Sequence, residues 1–276
     1  DVENTGFSCI PDRAEVGFIG MTGEIQKQHI QKKLQAFNSG EIKTTDELHQ
    51  QLSVMPRVEK IAIKDVKMRT FITDDSSRND LVQHVYDVTY GLVKNNEDTL
   101  VVLDDSIVRG TTLKESILTM LDRLQPKKII VVSSAPQIRY PDCYGIDMSK
   151  MGSFVAFQAA VALWKERNEY SFLENLYKDC KEEIQKPLHE VRNLVKEVYA
   201  PFSAEQISAK IADIVKPNHI FSDVQVIYQT IENLHIACPK NLGDWYFTGD
   251  YPTPGGNRVA LNAFINYMEG KNVRAY

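Results

Sequence analysis

The chain lacks paired cysteines, a surplus of positive charge and long apolar runs, and each absence excludes a class of protein. Its cysteines form no C-x-x-C pair, which argues against a zinc ribbon or disulfide framework and favours a reducing compartment. A net charge of −5 argues against nucleic-acid binding through a general positive field. No apolar stretch approaches the ~20 residues that span a bilayer. We therefore expect a soluble, cytoplasmic protein that binds neither nucleic acid nor membrane.

What remains is an ordinary globular composition. Hydrophobic residues make up 43% of the chain and charged residues 25%, which argues against wholesale disorder. A length of 276 residues suits one large domain or two small ones. The chain is long enough to bury a sizeable core.

The first hundred residues alternate apolar runs with polar helical stretches. The run at 7–10 predicts a short strand, 14–37 a helix, and 44–52 a second helix capped by Thr45. Apolar residues at helical spacing predict another helix over 81–92; they are Leu81, Val85, Val88 and Leu92. The polar composition between 26 and 60 indicates an exposed insertion.

The middle of the chain predicts a βαβ unit, which defines the fold class. Apolar runs at 100–103 and 129–132 flank an amphipathic helix over 112–124, and this order implies parallel strands with a right-handed crossover. Beyond 151 the pattern is mostly helical, and the turn-forming tail 246–257 is expected to be irregular. We predict an α/β fold, a mostly parallel twisted sheet flanked by helices. Residues 1–152 would form the core, with a helical insertion around 21–60, and 153–276 a helical extension.

The segment LVVLDDSIVRGTT, residues 100–112, carries the clearest chemical signal. A buried strand ends in two carboxylates, Asp104 and Asp105, which repel each other unless sugar hydroxyls or a divalent cation lie between them. Gly110 permits close backbone approach, and the following helix start with Thr111 and Thr112 offers donors to an anion. A phosphorylated sugar has hydroxyls for the two aspartates, which form the first half of the segment, and a phosphate for the Gly-Thr-Thr turn, which forms the second half.

Each half alone has a simpler explanation. Adjacent aspartates often form a solvated turn, and a Thr-Thr pair often caps a helix. The order of both halves, after a buried strand and before an amphipathic helix, favours a ligand site.

These thirteen residues resemble the phosphoribosyl-diphosphate loop of type I phosphoribosyltransferases, and DDSIVRGTT in particular resembles that of the amidophosphoribosyltransferases. Other segments extend the resemblance over nearly the whole chain and in the right order. They are CIPD at 9–12, RTFI at 69–72, IRYPDCYGID at 138–147 and FTGDYP at 247–252.

The resemblance implies transfer of ammonia to C1 of phosphoribosyl diphosphate, with release of pyrophosphate and formation of phosphoribosylamine for purine synthesis. Asp104 and Asp105 would bind the ribose hydroxyls and the Mg²⁺–substrate complex, and Arg69 and Thr70 would close over the substrate. The implied substrate-binding residues are Pro11, Asp12, Arg13, Ser106, Ile107, Val108, Arg109, Gly110, Thr111 and Thr112.

The resemblance also implies partners. The family's intact enzyme carries an N-terminal glutaminase domain with a cysteine as its first residue, whereas this chain begins with Asp1. We expect that domain to be absent here, and this chain alone not to hydrolyse glutamine. Purine nucleotides as inhibitors and assembly into a homo-oligomer are further expectations.

Several positions depart from the family pattern. Arg13 stands where Ser or Thr is usual, and it would either clamp pyrophosphate or mark an altered site. Either Lys64 or Lys67 could match a family lysine, with a solvated strand as the simpler reading. Cys143 and Cys238 do not fit the iron–sulfur pattern of some relatives, so no cluster is expected. A non-catalytic module that senses phosphoribosyl diphosphate or nucleotides, and a base-specific phosphoribosyltransferase, remain alternatives.

Overall fold

The computed structural model describes residues 4–11, 14–64, 86–145, 148–241 and 243–276. These form two compact units whose segments alternate along the chain. The first is made of the described residues within 1–105, 112–134 and 216–225, and the second of those within 106–111, 135–215 and 226–276. The boundary expected at residue 152 stays a prediction. None of the helices in the described ranges has the length and hydropathy of a membrane-spanning segment.

A mostly parallel sheet organises the first unit, as the βαβ pattern predicts. Its strands are β1 (Thr5–Cys9), β2 (Arg57–Val58), β5 (Thr99–Asp104), β6 (Lys128–Ser133) and residues 223–225 of β7 (Asp223–Tyr228), in the order β2-β1-β5-β6-β7. β1 pairs in parallel with β2 and β5, and β5 pairs in parallel with β6. The four central residues of β5 are buried, which explains its unbroken apolar sequence.

The helices α1 (Glu15–Asn38) and α2 (Thr45–Leu52) follow β1. Phe18 is the buried residue of α1 and packs with Phe7 and Leu103, so most of this polar helix faces solvent. The sequence predicts Thr45 as the cap of α2, and this prediction is wrong: the cap is Thr44. Thr44 has the extended backbone that a cap requires, and its hydroxyl accepts from the Glu47 amide at 3.1 Å.

The helix predicted over 81–92 is wrong where the structure describes it. Residues Tyr86–Val88 form strand β4, which pairs antiparallel with β3 (Ala62–Lys64). Leu81 and Val85 lie outside the described residues. Apolar spacing over so short a run does not separate helix from strand, and pairing with a neighbouring strand decides the outcome.

The helix predicted over 112–124 is confirmed, with a local change of pitch. It is π-helical over Leu113–Ile117 and α-helical over Leu118–Asp122, which we label α3. The apolar face predicted for it is buried throughout: Leu113, Ile117, Met120, Leu121 and Leu124.

The second unit is mostly helical, as the sequence predicts. Its helices are α4 (Val155–Glu166), α5 (Ser171–Glu183), α6 (Ala204–Val215), α7 (Ile231–Ala237), α8 (Trp245–Thr248) and α9 (Pro254–Met268). The expectation of an irregular tail over 246–257 is wrong in part, because α8 and α9 occupy much of it. Pro254 begins α9 because the first turn of a helix does not use that residue's N–H.

A buried carboxylate at the end of α5 predicts how stability varies with pH. Glu183 is buried, and burial by itself would raise its pKa. Hydrogen bonds from Lys186 at 2.6 Å and from the Arg192 amide at 2.9 Å outweigh this effect and lower the pKa to about 2. Its stabilising contribution is therefore complete above its ordinary pKa of 4.5 and is lost as the pH falls toward about 2.

We expect Glu183→Gln to lower the free energy of unfolding at pH 7 by about 1–3 kcal/mol and to weaken its fall below pH 4.5. Urea denaturation at several pH values measures both effects. Glu182→Gln, at an exposed neighbouring position, is the matched control and should resemble the parent chain. Unchanged stability of Glu183→Gln at pH 7 would refute this assignment.

Candidate functional site

The carboxyl ends of three neighbouring strands meet at one edge of the sheet in the first unit. The parallel register places Cys9 beside Leu103 and Asp104 beside Ser133. β1 continues for one further hydrogen bond, from the Ile10 amide to the Leu103 carbonyl at 2.8 Å. In open parallel sheets, this is the edge at which ligands bind. The structure therefore brings the predicted site residue Pro11, which follows β1, to the same edge as Asp104 and Asp105.

Asp104 and Asp105 form a hydrogen-bonded turn, which we call the diacid turn. The Asp105 amide donates to Asp104 Oδ1 at 2.9 Å. From the end of β6, the Ser134 amide donates to the Asp104 carbonyl, and Ser134 Oγ donates to the Asp105 carbonyl, each at 3.0 Å. Both aspartates are half-buried. The turn is therefore fixed through its backbone, on a partly shielded surface.

The electrostatics of the diacid turn favour a ligand that supplies donors or positive charge. Burial, followed by repulsion from the Asp105 carboxylate, raises the pKa of Asp104 well above its ordinary value. A cation or a pair of hydroxyl donors would relieve both effects. The carboxylate oxygens of the diacid turn are therefore suited to bind sugar hydroxyls or a hard cation.

The donor set fits magnesium held together with a substrate. Across the described ranges, no three His, Cys, Asp or Glu side chains come together as a metal site. Mg²⁺ usually binds through one or two carboxylates and completes its shell with water and substrate phosphates. The two carboxylates of Asp104 and Asp105 match this pattern of magnesium binding, which does not need a complete set of protein ligands.

The loop 106–111 belongs to the second unit, where two helices support it. The Val155 amide at the start of α4 donates to the Val108 carbonyl at 2.9 Å, and Ile107 is buried. Gly110 has a φ of 72°, and a Cβ there would lie 2.8 Å from Val215 Cγ1 at the end of α6. Only glycine adopts this conformation in this space without strain. The predicted residues Ser106 to Thr111 thus form a supported, glycine-dependent turn.

Thr112 returns the chain to the first unit and leads into the π-helical turn. It is half-buried, whereas Thr111 is exposed. Within the part of the chain that the structure describes, the Thr112 side chain caps no helix amide, so the simpler explanation of this threonine is not supported. Single π-helical turns occur frequently at functional sites.

Four predicted site residues lie outside the described residues. They are Asp12, Arg13, Arg69 and Thr70. The choice between Lys64 and Lys67 also stays open, since Lys67 lies outside as well.

Two of the resembling motifs, 138–147 and 247–252, contact each other in the second unit. Tyr251 donates its hydroxyl to the Pro141 carbonyl at 2.7 Å, and Tyr246, next to the second motif, donates to Asp142 Oδ1 at 2.8 Å. Asp142 is fully buried. The described parts of these motifs therefore hold one another in place by packing and hydrogen bonds.

Sequence reasoning missed the residues that support the site. Ser134 holds the diacid turn, and Val155 and Val215 border Gly110. The parallel pairing of the two apolar runs would have placed Ser133 beside Asp104 and Ser134 one residue further along, at the diacid turn, so the signal for Ser134 was present. The valines lie 40 or more residues from Gly110 in sequence, and nothing local indicates their role.

Fold and site together define an α/β protein with a diacid turn at the carboxyl edge of a parallel sheet, followed by a glycine-dependent loop. Comparison with curated proteins finds similarity to amidophosphoribosyltransferases. The enzyme of Pasteurella multocida is 46% identical over 61 residues, which is 22% of this chain and 12% of that protein. The enzyme of Saccharomyces cerevisiae is 39% identical over 87 residues, 30% of this chain and 17% of that protein.

The resemblance drawn from the motifs is therefore confirmed. The matched segments span less than a fifth of the relatives' own length, as for the Bacillus subtilis enzyme, with 36% identity over 94 residues and 19% of that protein. No protein-family model matches the chain.

Among solved structures, the chain is similar to one titled as the allosteric regulatory enzyme of purine biosynthesis. The TM-score is 0.47 and the identity 21%, over 91% of this chain and 38% of the other. A second is titled glutamine phosphoribosylpyrophosphate amidotransferase from B. subtilis complexed with ADP and GMP. Its TM-score is 0.44 and its identity 20%, over the same shares of the two chains.

Proposed function

We propose that this chain is the phosphoribosyltransferase portion of an amidophosphoribosyltransferase. It would transfer ammonia to C1 of phosphoribosyl diphosphate, release pyrophosphate and form phosphoribosylamine in purine synthesis. The observation that carries the proposal is the segment DDSIVRGTT, which begins at the carboxyl end of β5 with Asp104 and contains Gly110 in a left-handed conformation. The similarity to enzymes of that name supports it.

Each predicted site residue has a role in this reaction. Asp104 and Asp105 bind the ribose hydroxyls, and residues 106–112 bind the 5′-phosphate. Pro11, Asp12 and Arg13 bind pyrophosphate, and Arg69 and Thr70 close over the substrate. Arg13 and Arg69 bring positive charge to the phosphates.

The chemistry follows from where charge develops. The nitrogen lone pair forms a bond to C1, the bond from C1 to the pyrophosphate oxygen breaks, and the ammonium group then loses a proton. Positive charge builds on the ribose as the leaving group departs, and the fixed carboxylates of the diacid turn stabilise it. Mg²⁺ held by Asp104 and Asp105 with the substrate would offset the negative charge on pyrophosphate.

Two measurements test the proposal. Calorimetric titration with the magnesium complex of phosphoribosyl diphosphate should show binding. A pyrophosphate-release assay with ammonium chloride should then show turnover. Absence of binding would contradict the proposal.

A sensing module is the second candidate, and Arg13 is the observation that favours it, because the family usually has Ser or Thr there. Binding without pyrophosphate release would support this candidate. A base-specific phosphoribosyltransferase would instead release pyrophosphate with a purine or pyrimidine base and not with ammonium chloride.

Regulation and assembly belong to the same proposal. We propose a cytoplasmic homo-oligomer that works with a glutaminase domain in the intact protein and is inhibited by purine nucleotides. Light scattering and inhibition of pyrophosphate release by nucleoside monophosphates measure the two properties.

Thr112 provides a sharp test of phosphate binding. We expect Thr112→Val, which removes a hydroxyl and keeps the shape, to weaken binding of phosphoribosyl diphosphate by about 1–3 kcal/mol, as for a lost hydrogen bond to a charged group. Calorimetry measures the change. Thr45→Val, an identical change at an exposed position in α2, should bind as the parent chain does. Equal binding by the two variants would remove Thr112 from the phosphate site.

A further inference from the structure

Ser134 contacts the diacid turn through two separate hydrogen bonds. Its amide donates to the Asp104 carbonyl and its hydroxyl donates to the Asp105 carbonyl, both at 3.0 Å. Asp104 pairs with Ser133 in the sheet, so the amide bond extends the β5–β6 pairing by one step. The hydroxyl bond is additional, because it reaches one residue beyond the end of that pairing.

The bond to the Asp105 carbonyl fixes a backbone angle on which the site depends. Adjacent residues of an extended chain direct their side chains to opposite faces. Two neighbouring carboxylates serve one ligand only if the chain turns between or directly after them. Holding the carbonyl oxygen of Asp105 restricts rotation at the point where the chain leaves β5. The Asp105 amide, held by Asp104 Oδ1, restricts the same residue from its other side.

We infer that Ser134 is a positioning residue, whose hydroxyl holds the diacid turn in the conformation that binds the ribose of phosphoribosyl diphosphate. This inference rests on the proposed function. Ser134 is exposed, and its hydroxyl contributes little to the core. Its loss should therefore affect binding much more than stability, which separates positioning from ordinary structural support.

Binding by three variants of the full 276-residue chain tests the inference. We expect Ser134→Ala to raise the Kd for the magnesium complex of phosphoribosyl diphosphate about five-fold, as for one lost hydrogen bond, with an unchanged Tm. Ser134→Thr, which retains a hydroxyl, should restore binding. Ser39→Ala is the matched control, because Ser39 is exposed and its hydroxyl also donates to a backbone carbonyl at 3.0 Å.

A second measurement keeps the inference separate from the proposed function. Hydrogen exchange of the Asp105 amide reports the turn without any ligand. We expect exchange about five-fold faster in Ser134→Ala than in the parent chain and in Ser39→Ala. If the parent chain binds no phosphoribosyl diphosphate, the proposed function fails, and the exchange rate still decides whether Ser134 holds the turn. Parent-like exchange in Ser134→Ala, or parent-like binding where the parent binds, would overturn the inference.

Discussion

Replacing Asp104 and Asp105 together by asparagine is expected to abolish binding of phosphoribosyl diphosphate while leaving the fold intact. Asparagine keeps the size of each side chain and an oxygen that accepts from the Asp105 amide. It removes both negative charges, which the ribose hydroxyls and the magnesium complex require. Loss of two charged hydrogen bonds corresponds to about 3–6 kcal/mol, or roughly 100-fold or more in Kd.

The double asparagine variant should lose binding but should not lose stability. Burial and the neighbouring Asp105 carboxylate raise the pKa of Asp104, so ionisation of Asp104 opposes folding near neutral pH. Neutral asparagines relieve that repulsion. We therefore expect the free energy of unfolding at pH 7 to be equal to that of the parent chain or higher.

The control for this experiment neutralises two acids elsewhere in the same unit. Glu97→Gln with Glu115→Gln changes the net charge by the same amount at exposed positions. Calorimetry should show parent-like affinity for the control and no detectable binding for the aspartate variant. Parent-like affinity of the aspartate variant would count against the whole assignment.

Gly110→Ala is expected to have the second largest effect. A left-handed backbone costs an alanine about 1–2 kcal/mol. The new Cβ would also lie 2.8 Å from Val215 Cγ1 and 3.3 Å from Val155 Cγ2, and overpacking of this kind adds about 1–3 kcal/mol. The loop must shift to relieve the contact, so binding of phosphoribosyl diphosphate should fall more than ten-fold.

Gly40→Ala separates the two causes. Gly40 has a φ of 77°, similar to Gly110, but a Cβ there meets nothing within 4 Å. Denaturation should show a loss of about 1–2 kcal/mol for this control, from backbone strain alone, with unchanged binding. Equal losses of stability in the two variants would show that Val155 and Val215 do not restrict the loop.

The sequence predicts the central strands and their pairing well. The unbroken apolar runs of β5 and β6, separated by one helix, leave few alternatives to a parallel βαβ unit. Short elements are harder to predict. Tyr86–Val88 is a strand because it pairs with β3, and β7 alternates exposed residues with half-buried or buried ones in a region where helices dominate. Such outcomes depend on neighbours distant in sequence.

In the candidate site, too, some residues can be predicted from local sequence and others only from tertiary contacts. Asp104, Asp105 and Gly110 are identified by local chemistry, because paired acids and a glycine before a helix have few other uses in that order. Their supports are identified only by tertiary contact. Ser134 lies at the diacid turn because β5 and β6 pair in parallel. Val215 lies at the end of α6, so its contact with Gly110 depends on how that helix packs.

A crystal structure of this chain with ribose 5-phosphate tests the central claim most directly. The account predicts that the ribose hydroxyls contact Asp104 and Asp105 and that the phosphate contacts backbone amides and threonine hydroxyls of residues 106–112. A ligand bound elsewhere, with these nine residues making no contact to it, would contradict the account.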